Sequence, residues 1–96
     1  MVVIWSNSAK AELRKAYEYI ALDSPQNAKT VRDTLIDLSI ELSQHPEKHP
    51  ADKFKKGNDG SWRAFEKYHY RITYRILKDQ IRIVRMRHTR KSPVNY

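Results

Sequence analysis

The stretch from Tyr68 to Arg90, YHYRITYRILKDQIRIVRMRHTR, constrains the fold most, because apolar and basic residues alternate in it with a period of two. This pattern predicts two strands joined by a turn at Leu77-Lys78-Asp79-Gln80. In the first strand, Ile72 and Tyr74 share one face, and Arg71 and Arg75 share the other. The stretch therefore predicts a hairpin with an apolar face and a basic face.

The register of this hairpin follows from the need to bring both apolar sets onto one core. It gives four cross-strand pairs, which are Ile72 with Met86, Tyr74 with Val84, Arg71 with Arg87 and Thr73 with Arg85. Like charges directly opposite each other destabilise a ladder, so the arginine pair predicts an anion at the basic face. A solvated basic face without a ligand is the alternative.

The charge of the chain is concentrated in the same half. The formal net charge is +8, and the 35 residues from Trp62 to Tyr96 hold ten Lys/Arg against two Asp/Glu. The first 61 residues are balanced, with nine of each sign. Such a surface predicts nucleic acid, a ribonucleoprotein or an acidic protein as partner.

The remaining segments predict one strand and two helices before this half. Val2 to Trp5 is β-branched and aromatic, which indicates a strand. Ser6-Asn7-Ser8 offers N-cap oxygens to a first helix, and Asp23-Ser24-Pro25 ends that helix and starts a second. Each predicted helix has one apolar face, formed by residues at helical spacing. These residues are Ala9, Leu13, Tyr17 and Ile20 in the first helix and Ala28, Val31, Leu35, Leu38 and Leu42 in the second.

A loop with Pro46 and Pro50 then separates the helices from the strands, and Trp62 to Glu66 predicts a further strand. A two-residue turn at Lys67-Tyr68 sends Phe65 to the core, and it sends Trp62, Ala64 and Glu66 to the basic face. The same turn places Arg63 on the core side near an edge. The tail from His88 to Tyr96, with Pro93, is predicted to be irregular.

The predicted fold class is α+β, in the order β-α-α-β-β-β. The N-terminal strand and a helical hairpin pack on a twisted, mostly antiparallel sheet. We expect residues 1–96 to form a single domain, given the length of the chain.

Composition excludes several classes of function. The chain has no cysteine, which excludes disulfides, thiolate metal sites and cysteine nucleophiles. Its four histidines lack a spacing that dictates metal ligation, so we expect no metal and no other cofactor. Apolar runs are too short for a bilayer span and no secretion signal is visible, so we expect a cytoplasmic protein with no membrane partner.

The chemistry that remains is cleavage of RNA through its own 2′-hydroxyl, which needs positive charge, a proton acceptor and a proton donor. The candidate catalytic residues are Arg71, Arg87, His88 and Glu66, with Asp52 as another possible base. The candidate nucleic-acid-binding residues are Lys53, Lys55, Lys56, Arg63, Arg85, Lys91 and Tyr96. Simpler roles stay open: His88 caps the strand end, Glu66 only pairs with Arg71, and Tyr96 is frayed.

The chain resembles the RelE/ParE superfamily of bacterial toxins of type II toxin–antitoxin pairs over nearly its whole length. The resemblance rests on the opening strand, Ser24-Pro25 in the helical hairpin, Pro46, the segment from Tyr70 to Tyr74, and the final strand from Ile81 to His88. It implies a cognate antitoxin whose C-terminal segment wraps the toxin. The segment from Tyr70 to Tyr74, followed by a strand that ends in histidine, is fairly specific for the superfamily, but it is not specific for one branch.

The branches imply different targets. Ribosome-dependent mRNA endonucleases of the RelE type use an arginine like Arg71 and C-terminal groups like His88, Lys91 and Tyr96. Their paired lysines correspond to Trp62 and Ala64 here, which is a departure. The ParE branch, which inhibits DNA gyrase without cutting RNA, resembles the chain in its long helical hairpin and its final strand. The endonuclease is the first hypothesis, and the gyrase inhibitor is its alternative.

Overall fold

Four strands form one mixed sheet, and two helices pack on one of its faces. The computed structural model describes residues 1–91 and 95–96, so Pro93 of the predicted irregular tail lies outside the described residues. The elements are β1 (Val2–Trp5), α1 (Asn7–Ala21), α2 (Pro25–Glu41), β2 (Trp62–Lys67), β3 (Tyr70–Ile76) and β4 (Gln80–His88). The predicted fold class and element order are confirmed.

The strand order across the sheet is β1-β4-β3-β2. β1 runs parallel to β4, and the other neighbours are antiparallel. Parallel neighbours need a long connection, and here both helices, β2 and β3 lie between β1 and β4 in the sequence. The hairpin of β3 and β4 therefore occupies the centre, with β1 and β2 at the edges.

Both helices begin at a serine cap, as the sequence predicts. Ser6 Oγ accepts a hydrogen bond from the amide of Ala9 at 3.0 Å. Ser24 Oγ accepts one from the amide of Asn27 at 3.1 Å, and Pro25 follows it in the first turn. Each cap satisfies an amide that has no partner within the helix.

The core lies between the helices and the sheet, and polar groups within it are paired. Its buried members include Leu35, Leu42, Ile72, Tyr74, Ile81, Ile83 and Met86. Trp5 Nε1 donates to Ser39 Oγ at 3.1 Å, which ties β1 to α2. Tyr74 Oη donates to the Pro46 carbonyl at 2.7 Å, which ties the loop after α2 to the sheet.

The register of the central hairpin differs from the prediction at one point. Ile72 pairs with Met86, Arg71 with Arg87 and Thr73 with Arg85, as predicted, but Tyr74 pairs with Ile83. The predicted pairing of Tyr74 with Val84 is wrong, because a β-bulge falls between Thr73 and Tyr74. Without an extra residue, period two would put Ile81 and Ile83 on the face opposite Met86. The bulge brings all three into the core.

Ser6 also stabilises this bulge. Its amide donates to the Ile83 carbonyl at 2.9 Å, and its hydroxyl donates to the Val84 carbonyl at 2.7 Å. One residue thus caps α1 and satisfies backbone carbonyls of the bulged strand.

The turn between β2 and β3 lies at Tyr68-His69, one residue later than predicted. Both residues have positive φ angles, 53° and 67°, as a two-residue hairpin turn of type I′ requires. The shift leaves the facing of β2 unchanged, since Phe65 pairs with Ile72 and is buried. No helix formed by the described residues has the length and apolar character to cross a membrane.

We predict that Ser6→Ala lowers the free energy of unfolding by about 2 kcal/mol, because it removes both the cap of α1 and a hydrogen bond to the bulge. Ser24→Ala, which removes only a solvent-exposed cap, should cost about 1 kcal/mol. Urea denaturation of the two variants and the wild type measures both losses. Equal losses would contradict a role for Ser6 in the bulge.

Candidate functional site

The sheet face opposite the helices carries a row of cations, called the basic face below. It is formed by Arg71, Thr73 and Arg75 of β3 and by Arg82, Arg85 and Arg87 of β4. Cross-strand partners are Arg71 with Arg87, Thr73 with Arg85 and Arg75 with Arg82. Two arginine pairs therefore lie directly opposite each other, an arrangement that requires countercharge.

Part of that countercharge comes from the protein itself. Asp52, which is only 2% exposed, lies in the loop between α2 and β2. Its Oδ1 is 2.8 Å from Arg71 Nη2, while Glu66 Oε2 on β2 is 3.1 Å from Arg71 Nη1. Glu66 thus pairs with Arg71, which is the simpler of the two roles predicted for it. Arg71 is held between two carboxylates.

The loop that carries Asp52 is fixed by Asn58. Asn58 Nδ2 donates to the carbonyls of Asp52 and Trp62, at 3.2 and 2.8 Å. Its Oδ1 accepts from the amides of Gly60 and Trp62, at 2.8 and 3.2 Å. Gly60 has a φ angle of 96°, which glycine adopts without strain. This network closes the loop against the start of β2, so the position of Asp52 is set by β2.

Tyr96 is docked on the same loop. Its hydroxyl donates to the carboxylate of Asp52. Its amide donates to the Phe54 carbonyl at 3.0 Å, and its carbonyl accepts from the Lys56 amide at 2.6 Å. The alternative of a frayed Tyr96 does not hold, because both its backbone and its side chain are bonded.

These contacts fix the protonation of both groups. Burial favours the neutral form of Asp52, but hydrogen bonds from the Tyr96 hydroxyl, the Phe54 amide and Arg71 outweigh it and lower the pKa of the carboxyl. Burial, together with the hydrogen bond to Asp52, raises the pKa of Tyr96 to about 12. At neutral pH Asp52 is therefore a carboxylate and Tyr96 a protonated phenol.

Aromatic rings separate the cations at the β2 side of the basic face. Arg75 lies over the Trp62 ring at 5.0 Å, and Lys55 Nζ lies 4.8 Å from that ring and 5.1 Å from the ring of Tyr96. Arg85 covers Tyr96 at 4.1 Å. The negative ring faces offset repulsion between the cations and hold them in fixed positions.

Beside this stack lies a cavity of about 280 Å³, called the basic pocket below. Its lining comprises Lys53, Phe54, Glu66, Arg71, Thr73, Arg85, Arg87, His88, Thr89 and Lys91. All four candidate catalytic residues are among them, together with three of the candidate nucleic-acid-binding residues. The lining holds five Lys/Arg side chains against one carboxylate.

His88 both lines this pocket and closes the end of β4. Its Nδ1 accepts a hydrogen bond from the Arg90 amide at 3.0 Å, so the imidazole caps the turn that follows the strand. The ring also meets Tyr70 edge-on, at 5.1 Å between centroids. The capping role proposed for His88 is thus present, and the imidazole is committed to it through one nitrogen.

The other candidates lie outside the pocket. Lys55 belongs to the aromatic stack, and Lys56 is exposed beside Tyr96. Arg63 lies on the core side near an edge, as expected, where it donates to the carbonyls of His49 at 2.8 Å and Gly60 at 3.1 Å. A nucleic-acid-binding role for these three residues stays a prediction. Arg63 lies on the opposite face of the sheet from the basic pocket.

Sequence reasoning missed two residues of the pocket lining and the network that fixes the loop carrying Asp52. Phe54 stacks under Arg71 at 4.8 Å, and Thr89 adds a hydroxyl to the lining. The hydrogen bonds by which Asn58 fixes the loop were also missed. The one available signal was Asp52, a lone acid preceding the basic run Lys53-Phe54-Lys55-Lys56, which suits a buried counterion.

Comparison with known proteins assigns the family. The family model described as ParE toxin of type II toxin–antitoxin system, parDE, matches residues 3–93. The chain belongs to the ParE toxin family. No curated protein sequence matches it.

A solved structure has the same fold. It is a chain of the chromosomal ParDE toxin–antitoxin system from P. aeruginosa, which superposes with a TM-score of 0.71 at 20% sequence identity. The alignment covers 92% of this chain and 95% of that chain. At this identity the likeness establishes the fold and no shared residue role.

Membership confirms the resemblance to the RelE/ParE superfamily and identifies the chain as a type II toxin. It also implies a cognate antitoxin. In this ParE-family toxin, an ion pair joins Arg71 of the basic face to the buried carboxylate of Asp52. Arg71, which the endonuclease hypothesis assigns to catalysis, therefore also stabilises the fold.

We predict that Asp52→Asn lowers the free energy of unfolding by an amount on the order of 3 kcal/mol at neutral pH, because it leaves Arg71 without its buried partner. The pKa of Asp52 is lower in the folded state than its ordinary value of about 3.9, so its contribution is present above that pH and is lost as the pH falls through the folded pKa.

The difference between wild type and Asp52→Asn should therefore shrink on acidification, as measured by urea denaturation at a series of pH values. Asp37→Asn, at an exposed position of α2, is the matched control and should show no such loss. A difference that stays constant down to strongly acidic pH would contradict the ionic role of Asp52.

Proposed function

We propose that this ParE-family toxin inhibits DNA gyrase, acts in the cytoplasm and does not cleave RNA. The family match over residues 3–93 supports the choice of branch. The structural observation that carries the proposal is the bonding of the buried Asp52 carboxylate to both Arg71 and Tyr96, since it leaves that carboxylate poorly suited to accept a proton.

The titratable groups around the basic pocket are poorly suited to proton transfer. A general base works best with a pKa near the operating pH. The pKa of Asp52 is lowered, that of Tyr96 is raised to about 12, and these two groups are bonded to each other. Glu66 is paired with Arg71, and His88 uses Nδ1 to cap a turn. These contacts suit a rigid binding surface.

A ribosome-dependent mRNA endonuclease is the second candidate. Its support is the convergence of Arg71, Arg87, His88 and Glu66 on one cavity. Glu66 is the most exposed partner of Arg71, with 56% of its side chain accessible, so it is the carboxylate that an incoming substrate could displace. The departure at Trp62 and Ala64, where the endonuclease branch carries lysines, weighs against this candidate.

The cognate antitoxin fits the same charge argument. A toxin with a formal net charge of +8 suits a disordered, acidic, amphipathic segment that folds on binding. We propose that such a segment covers either the basic face or the helices of the toxin and so neutralises it.

Two assays on the purified toxin test the choice of target. We predict inhibition of gyrase-catalysed DNA supercoiling, and no new 5′ ends when an mRNA translated in a cell-free reaction is mapped by primer extension. Arg14→Gln, which removes a positive charge from the exposed surface of α1, controls for net charge and should inhibit like the wild type.

Ribosome-dependent cuts that appear with the wild type and vanish in Arg87→Gln would replace this proposal with the endonuclease. Failure of the folded wild type in both assays would contradict both candidates. Circular dichroism of each protein confirms that a loss of activity is not a loss of fold.

A further inference from the structure

The basic pocket has the properties of a phosphate site. Five Lys/Arg side chains and two threonine hydroxyls surround a cavity of about 280 Å³, and one carboxylate is present in the lining. Arginine presents donors in a planar fork that matches phosphate oxygens, and threonine hydroxyls are frequent phosphate contacts. The cations that line this open cavity outnumber the carboxylates, which favours the binding of a phosphate group.

We propose that the basic pocket binds a backbone phosphate of DNA, so that the toxin contacts the DNA held by gyrase as well as the enzyme. This inference rests on the proposed function, because gyrase brings DNA to the toxin.

The cations are held in place before a ligand arrives. Arg71 is fixed by Asp52 and Glu66, and its guanidinium lies against the Phe54 ring at 4.8 Å. Arg85 is stacked on Tyr96 at 4.1 Å. A preorganised cation loses less side-chain entropy on binding than a mobile one, so these contacts favour anion binding.

The cations also form a row and not an isolated point. Arg85 and Arg87 are two residues apart on β4, a separation of about 6.8 Å along a strand. This is comparable with the distance between neighbouring phosphates on one nucleic-acid strand. Arg75 and Arg82 continue the basic face on the far side of the bulge. A polymer with regularly spaced phosphates therefore fits better than a single free anion.

The arginine ladder then has a physical explanation. Asp52 and Glu66 both bond to Arg71, while Arg87 lies directly across the ladder from it. An anion in the pocket adds negative charge between the two strands, which further relieves the like-charge repulsion of this pair. Binding of a phosphate should thus stabilise the sheet as well as the complex.

The experiment measures binding of labelled DNA to the toxin alone, by fluorescence anisotropy over a range of salt concentrations. The probes are a DNA duplex, the matching single strand and an RNA of the same sequence, with inorganic phosphate and polyglutamate as competitors. The variants are Arg87→Gln and Lys53→Gln, which each remove one pocket cation. Arg14→Gln removes the same charge from α1 and serves as the matched control.

We expect the duplex to bind with an affinity that falls steeply with salt, because phosphate contacts release counterions. Arg87→Gln and Lys53→Gln should each weaken binding at a given salt concentration and reduce the slope of log K against log salt by about one. Arg14→Gln should leave that slope unchanged. An equal effect of Arg14→Gln would show that only net charge matters and would overturn the pocket assignment.

Other outcomes also overturn the inference. Tighter binding of the RNA than of the DNA would remove DNA as the ligand, and displacement by polyglutamate at equal charge concentration would assign the pocket to an acidic protein. Displacement by low concentrations of inorganic phosphate would assign it to a free anion.

The failure of this inference is distinguishable from failure of the proposed function. Gyrase inhibition that is equal for wild type and Arg87→Gln, with no DNA binding by the toxin, leaves the gyrase target intact and overturns the pocket assignment. Salt-dependent DNA binding without gyrase inhibition overturns the proposed target instead, and with it the claim that gyrase supplies the DNA.

Discussion

The basic face depends on the contacts of one buried carboxylate, that of Asp52. Asp52 is almost inaccessible to solvent, and it holds Arg71, Tyr96 and the amide of Phe54 at once. A buried charge is costly unless its hydrogen bonds are satisfied, and here each carboxylate oxygen has a donor. Because those donors come from β3, the loop and the final described residue, one side chain joins three separate parts of the chain.

The bulge in β4 is the second constraint, and it decides which residues reach the basic face. Ile81 and Ile83 precede it and Met86 follows it, yet all three are buried. The same extra residue allows Arg82, Arg85 and Arg87 to share the opposite face. Ser6 caps α1 and also hydrogen-bonds to the bulge, so one residue stabilises both the first helix and the geometry of the basic face.

Much of this fold could be predicted from the sequence, because periodicity and capping are local signals. Alternation in β3, the serine caps and the pairing of Arg71 with Arg87 needed no tertiary information. The bulge was missed because the isoleucines and Met86 were not considered together, although their odd and even positions cannot share one face of a regular strand. The docking of Tyr96 and the burial of Asp52 are long-range contacts, separated by 44 residues, and no local pattern indicates them.

The same cationic face can serve catalysis or binding, and the difference lies in what its acids and bases are bonded to. Catalysis of RNA cleavage requires groups that exchange protons near neutral pH. Here a carboxylate with a lowered pKa accepts from a phenol whose pKa is about 12, so the proton stays on the phenol through the physiological range. This bond holds Asp52 and Tyr96 in place and leaves neither of them suited to exchange a proton near neutral pH. What it preserves is an ordered set of cations, which is what recognition of a phosphate backbone requires.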